Sequence, residues 1–150
     1  MLSATSLGNP RLTGRRQIAH DGAVQDTSTL GEEFAHALAQ KDADRMRDLL
    51  HPDIDFRGLT PSRNWEASGR DAVAALFLEN WFEESDQIDE LVHLESDSFA
   101  DRQRVGYRFR VNCPDGPFIV EQQAYFSERD GRIAWMRVVC SGYRTFVSPA

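Results

Sequence analysis

The spacing of apolar and polar positions changes character along the chain. From Thr29 it follows a helical period: Leu30, Phe34, Ala37 and Leu38 fall on one stripe. Thr29 and Glu32 stand at the spacing of a capping box, in which hydroxyl and carboxylate satisfy free N–H groups at a helix start. Asp42 can cap a second helix that turns Ala43, Met46, Leu49 and Leu50 inward. His51-Pro52 should end it, because a residue before proline avoids the α region. Ile54–Arg57 alternates as a short strand, and Gly58–Asn64 reads as a loop. Ser68-Gly69-Arg70-Asp71 resembles another helix start, leading to a stripe of Val73, Leu76, Phe77 and Trp81.

From Gln87 the period becomes two. Ile88–Glu95 reads as a strand, and Gln103–Cys113 as a clear one, with Val105, Tyr107, Phe109, Val111 and Cys113 on one face. Pro114-Asp115-Gly116-Pro117 is a turn signal. The stretch Pro117–Tyr143 holds two β-rich runs around Asp130-Gly131, a strong hairpin signal because a tight turn needs φ > 0. In the first run Ile119, Glu121, Gln123 and Tyr125 share one face; Val120, Gln122, Ala124 and Phe126 share the other. Helices first and a strand meander after give an α+β expectation: helices covering one face of a curved antiparallel sheet.

Residues 1–27 read as a flexible tail and 28–147 as one domain. Arg11, Arg15 and Arg16 precede the first acid, Asp21, as in some organelle presequences, but a plain extension is the expected reading. The composition, 41% hydrophobic and 27% charged, is globular. A net charge of −7 argues against a general nucleic-acid or anionic-membrane binder. No apolar run is long enough to span a bilayer, and Cys113 and Cys140 make neither a disulfide framework nor a zinc site, so a reduced cytoplasmic protein is expected. No metal-ligand motif, phosphate loop or serine-nucleophile motif occurs, and no cofactor is expected.

The order helix, helix, His-Pro-Asp-Ile-Asp-Phe, Ser-Gly-Arg-Asp-Ala-Val into a third helix, then strands closed by Asp-Gly-Arg-Ile-Ala-Trp-Met-Arg, resembles the SnoaL-like branch of the nuclear transport factor 2-like superfamily. The resemblance covers about Thr29–Phe146. It implies a cone-shaped NTF2-like fold, three N-terminal helices packed on a curved antiparallel sheet, with an apolar pocket at one end. Members include polyketide cyclases, ketosteroid isomerases, dehydratases, epoxide hydrolases and proteins that only bind or dimerise, and fold alone licenses no activity.

Carried over residue by residue, ketosteroid isomerase chemistry is lost. The oxyanion tyrosine falls on Phe34, the general base on Gly58 (or Arg57), and the second acid on Gln123. The same alignment turns Glu121, Gln123 and Tyr125 toward the interior, with Met136, Val138, Cys140 and Gly142. It turns Trp135, Arg137, Val139 and Tyr143 to a convex face that implies a homodimer. On that reading Glu121 is the acid or base, its pKa raised by desolvation, with Gln123 and Tyr125 orienting the substrate. Phe34, Arg57, Trp65, Tyr107, Phe109, Met136 and Cys140 would line the site. The ligand would be a small apolar carbonyl or hydroxyl compound, bound or converted by cofactor-independent proton transfer of isomerase, cyclase or dehydratase type. The alternative is a non-catalytic ligand-binding or dimerisation module. An epoxide hydrolase would need an Asp–Arg–Asp set, for which Arg57 and Glu121 are a loose substitute. His36 and His93 read as surface or structural residues, His51 as a helix cap, and both cysteines as small buried hydrophobes.

Overall fold

The computed structural model describes residues 29–145; the expected tail lies outside them. Thr29 caps α1 (Leu30–Ala39) in a complete capping box with Glu32, and Asp42 caps α2 (Ala43–Leu49) by accepting from the Arg45 N–H at 3.0 Å. Phe34, Leu38, Met46 and Leu49 are buried as the periodicity predicts. The chain then enters β1 (Leu50–Thr60) directly.

The segment read as a loop is a hairpin. β1 continues to Thr60, Pro61-Ser62 form the turn, and β2 (Arg63–Ser68) returns antiparallel. Proline is tolerated there because a turn position needs no backbone N–H. Trp65, expected just before a helix, is therefore a strand residue whose ring reaches the core. The third helix, α3 (Arg70–Ala75), follows these two strands, so the three helices are not consecutive at the N-terminus. Gly69 caps α3 without a side-chain bond, so the capping box expected there is absent. A π-helical turn, Leu76–Trp81, extends α3.

β3 (Gln87–Phe99), β4 (Arg102–Cys113), β5 (Gly116–Arg129), β6 (Arg132–Cys140) and β7 (Arg144–Thr145) complete the chain. The sheet order is β2-β1-β6-β5-β4-β3, with β7 on β5; β1 runs parallel to β6 and the other pairs are antiparallel. The Asp130-Gly131 turn has φ of 57° and 75°, the left-handed pair that a two-residue hairpin loop demands. Register shifts in β1/β6, β3/β4 and β5/β6 mark bulges, which bend strands.

One sheet face meets the helices. It carries Ile54, Phe56 and Gly58 of β1, Val105, Tyr107, Phe109 and Val111 of β4, Val120, Gln122, Ala124 and Phe126 of β5, and Met136, Val138 and Cys140 of β6, all buried. β4 and β6 face as expected; β5 does not. Its inward row is the even-numbered one, so Glu121, Gln123 and Tyr125 point outward. The two-residue turn at Pro114-Asp115 sets this register, pairing Tyr107 with Gln122 and Arg108 with Glu121.

An aromatic column fills the space between α1, the π-turn and β1. Phe34 meets Phe77 edge-on at 5.2 Å, Phe77 meets Trp81 at 4.9 Å, and Trp81 meets Phe56 at 5.7 Å and Trp65 at 6.1 Å. Gly58 makes the last approach possible: a Cβ there would lie 2.5 Å from the Trp81 ring. Gly58→Ala should therefore destabilise the fold by about 1–3 kcal/mol through overpacking, read as a lower denaturation midpoint at unchanged slope. A midpoint equal to that of the wild type would show that the ring yields freely.

Candidate functional site

A cavity of about 200 Å³ opens where the ends of β1 and β6 meet the π-turn. Thr60, Trp65, Asn80, Trp81, Phe82, Gln122, Cys140, Gly142 and Tyr143 line it. Each arrives for a local reason. Trp81 and Phe82 project inward because the π-turn ends α3's apolar stripe there. Gln122 lies on the inward row of β5, between Val120 and Ala124. Gly142, at φ 76°, sits against the Pro61 ring and turns the chain so that Tyr143 closes the wall.

The polar groups divide into engaged and free. Thr60 accepts from Trp65 Nε1 at 2.8 Å. The Tyr143 hydroxyl lies 2.8 Å from the Trp81 carbonyl and 3.0 Å from Asp86 Oδ2, and burial, then Asp86, pushes its pKa up. Gln122 Oε1 accepts from the buried Tyr107 hydroxyl at 2.5 Å. Gln122 Nε2 and Trp81 Nε1 are buried without a hydrogen-bond partner among the described residues. Leaving a donor so costs about 1–3 kcal/mol. Both belong to residues of the cavity wall, and the group that would satisfy them is an acceptor oxygen.

The expected site residues are not gathered in one place. Trp65 and Cys140 line this cavity, and Tyr107 backs it through Gln122. Phe109 is buried beside it, its ring 5.7 Å from that of Phe82. Phe34 and Met136 are core residues away from the lining. Arg57 is exposed on the opposite sheet face, in a groove of about 320 Å³ that Leu59, Tyr125, Arg137 and Val139 share. Tyr125 is 40% exposed there. Tyr143, expected on the convex face, belongs instead to the cavity wall; Trp135 does lie outward, between the guanidinium groups of Arg102 and Arg137 at 4.0 and 4.5 Å. His36 is exposed, His93 is exposed and 3.1 Å from Glu95, and His51 accepts from the Asp53 N–H at 3.0 Å.

Glu121 has the surroundings of a surface ion pair. Arg108 donates to its Oε1 from Nε at 3.0 Å and from Nη2 at 2.7 Å. Gln123 Oε1 accepts from Arg104 Nη1 at 2.6 Å. The Arg108 hydrogen bond holds the Glu121 pKa below the ordinary carboxylate value, where desolvation in a pocket would have raised it. Cys113 has its thiol pushed up to about 12, by burial first and by Asp86 second, so it is no nucleophile at neutral pH. Among the described residues no cluster of three His, Cys, Asp or Glu could hold a metal ion, and no helix is long and apolar enough to cross a membrane.

Sequence reasoning missed Thr60, Asn80, Trp81, Phe82, Gly142 and Tyr143 as lining residues, and Gln122 as well. For Gln122 a signal could have found it. The signal was present: Val120, Ala124 and Phe126 make its row the more apolar of the two, and counting back from the Pro114-Asp115 turn places it opposite the inward Tyr107.

A depressed pKa means that Glu121 contributes stability above its unfolded pKa of about 4.3, lost as pH falls through the lower folded value. Glu121→Gln should flatten that part of the acid-side stability curve slightly, the pair being solvent-screened, and leave occupancy of the cavity unchanged. Loss of ligand binding in this variant, measured beside its acid denaturation curve, would return Glu121 to the site.

Residues 32–136 match the SnoaL-like domain. Among solved structures, a protein from Rhodopseudomonas palustris with a provisional isomerase assignment superposes at a TM-score of 0.63, with 17% identity over 77% of this chain and 92% of that one. An NTF2-like protein from Burkholderia xenovorans gives 0.57, with 16% identity over 75% and 86%. An LEH-like epoxide hydrolase from M. tuberculosis gives 0.55, with 16% identity over 75% and 80%. No curated protein matches the sequence. At such identities the structural likeness speaks for the fold alone. The chain belongs to the SnoaL-like domain family.

Proposed function

We propose that this protein binds a small, largely apolar molecule bearing a hydrogen-bond acceptor in the cavity beneath Trp81. The observation that carries the reading is the pair of buried, unpartnered donors, Gln122 Nε2 and Trp81 Nε1, in a cavity walled by aromatic rings. Enclosure on this scale matches a ring system smaller than the ligands of typical ~300–1,000 Å³ pockets. Among the described residues the wall offers neither carboxylate nor imidazole, and Glu121 and Arg57 lie on the other face of the sheet, so neither the Glu121 mechanism nor the epoxide-hydrolase set is favoured. Binding is the primary role. Two free cysteines suit the reduced cytoplasmic setting proposed for it.

One contact favours turnover as a second reading. Tyr143 stands in the wall with Asp86 Oδ2 at 3.0 Å. A proton leaving the carbon beside a ligand carbonyl could pass to the phenol oxygen while the phenol proton moves to Asp86, and the reverse relay would return it to a second carbon of the enolate, which is cofactor-independent proton transfer of the isomerase kind. On this reading Tyr143→Phe keeps binding and loses conversion.

The outward face supports a homodimer. Leu59 and Val139 are register partners, 48% and 53% exposed, with Tyr125 nearby in the same groove. A second copy would cover this patch.

Two measurements test these readings. In native mass spectrometry after incubation with a metabolite extract of the host, the wild type should retain a discrete small molecule. Asn80→Trp, a change at the exposed rim, should lose it while melting as before. Retention of the same mass by Asn80→Trp, or an empty wild type, contradicts the cavity reading. In light scattering, the wild type should have dimeric mass at micromolar concentration and Val139→Glu should be monomeric. A monomeric wild type removes the dimer.

A further inference from the structure

The Gln122 side chain has an oxygen on one side and a nitrogen on the other. Which of them faces the cavity decides what the cavity can hold. Tyr107 sets the choice. Its ring is fully buried, and burial, with Cys140 adding to it, raises the phenol pKa well above the ordinary value, so its hydrogen is always present to donate. Gln122 Oε1 is the acceptor that this hydroxyl has among the described residues, at 2.5 Å. If the amide turned over, the phenol hydrogen would be buried with no acceptor, a penalised arrangement. Nε2 is therefore the atom left over, buried and without a partner among the described residues, as is Trp81 Nε1, and both side chains belong to the cavity wall.

The rest of the lining narrows the ligand further. Among the described residues no charged side chain contributes to it, so a carboxylate or phosphate would meet no counter-charge from them. Trp65, Trp81, Phe82 and Tyr143 present ring faces and edges. The hydroxyls of Thr60 and Tyr143 are already engaged.

We propose that the cavity selects a neutral ring system bearing a carbonyl oxygen, and that Tyr107, without touching the ligand, is the positioning residue that sets this preference by fixing the Gln122 amide. This deepens the binding reading above and rests on it.

Three bicyclic probes of closely similar size separate the possibilities: 1-indanone, an acceptor; indane, with no polar atom; and indole, a donor. Affinities are read by ligand-observed NMR titration. The wild type should hold 1-indanone about tenfold more tightly than indane, the worth of one to two net hydrogen bonds, and indole no more tightly than indane. In Tyr107→Phe the amide is free to turn, and the indanone-to-indane ratio should fall several-fold toward one. Trp81→Phe removes the other donor and should lower the same ratio, which keeps the test intact if Tyr107→Phe does not fold. A purely structural role for Tyr107 would weaken all three probes together and leave the ratio at its wild-type value; that result overturns the inference. So does equal affinity of the wild type for 1-indanone and indane, which would leave the binding reading standing. Failure of all three probes to bind the wild type overturns the binding reading itself.

Discussion

The contact between the Trp81 ring and the bare backbone of Gly58 is the constraint on which the rest depends. A β-carbon at Gly58 would sit 2.5 Å from the ring, so the helical layer reaches β1 only because that position has no side chain. From this seat Trp81 reaches three ways. Its ring joins Phe56, Phe77 and Trp65 in the aromatic column. Its carbonyl receives Tyr143 at 2.8 Å, tying the residues after β6 to the π-turn. Its Nε1–H is buried and unmatched among the described residues. Core packing and the candidate site thus share one residue. The position to which the resemblance assigned a general base is the one that had to be empty for the ring to fit.

The two faces of the sheet follow different physics. The inward face is apolar, and its one polar interior residue on β5, Gln122, is held by Tyr107. The outward face over β3, β4 and β5 is a ladder of opposite charges. Arg108 meets Glu121 at 2.7 Å, and Arg104 meets Asp97 at 3.0 Å and Glu95 at 3.1 Å. Exposed pairs of this kind contribute little each, but opposite charges across adjacent strands favour the register that also buries Gln122. Toward β1 and β6 the charge ladder gives way to Leu59, Val139 and Tyr125. Arg57 and Arg137 border this apolar patch in the same groove, so charge rims the surface that a second copy would cover.

Local pattern carried the first helices, the caps at Thr29 and Asp42, the inward row of β4, and the Asp130-Gly131 turn, because each is set by neighbours a few residues apart; the inward row of β6 came from the family alignment. The β1–β2 hairpin was hidden because Pro61 breaks strands and makes turns, and the sequence alone does not rank the two roles. Site residues were the least legible. Strand parity turns on a single residue of register, and the family alignment supplied the wrong one for β5. The physical cue lay within the chain: an inward Tyr107 and a two-residue turn at Pro114-Asp115 require Gln122 to face inward and Glu121 to meet Arg108. Unmatched donors depend on the positions of every nearby acceptor, so no one-dimensional pattern reveals them.

The central claim is that a bound acceptor satisfies the Trp81 indole hydrogen. The most direct measurement is the ¹⁵N–¹H spectrum of the indole groups, three in this chain, with the Trp81 resonance assigned by its loss in Trp81→Phe. On addition of 1-indanone the Trp81 proton should move downfield, as hydrogen bonding requires, while indane leaves it nearly in place. A Trp81 proton that responds alike to both compounds, or to neither while they bind, would contradict the account.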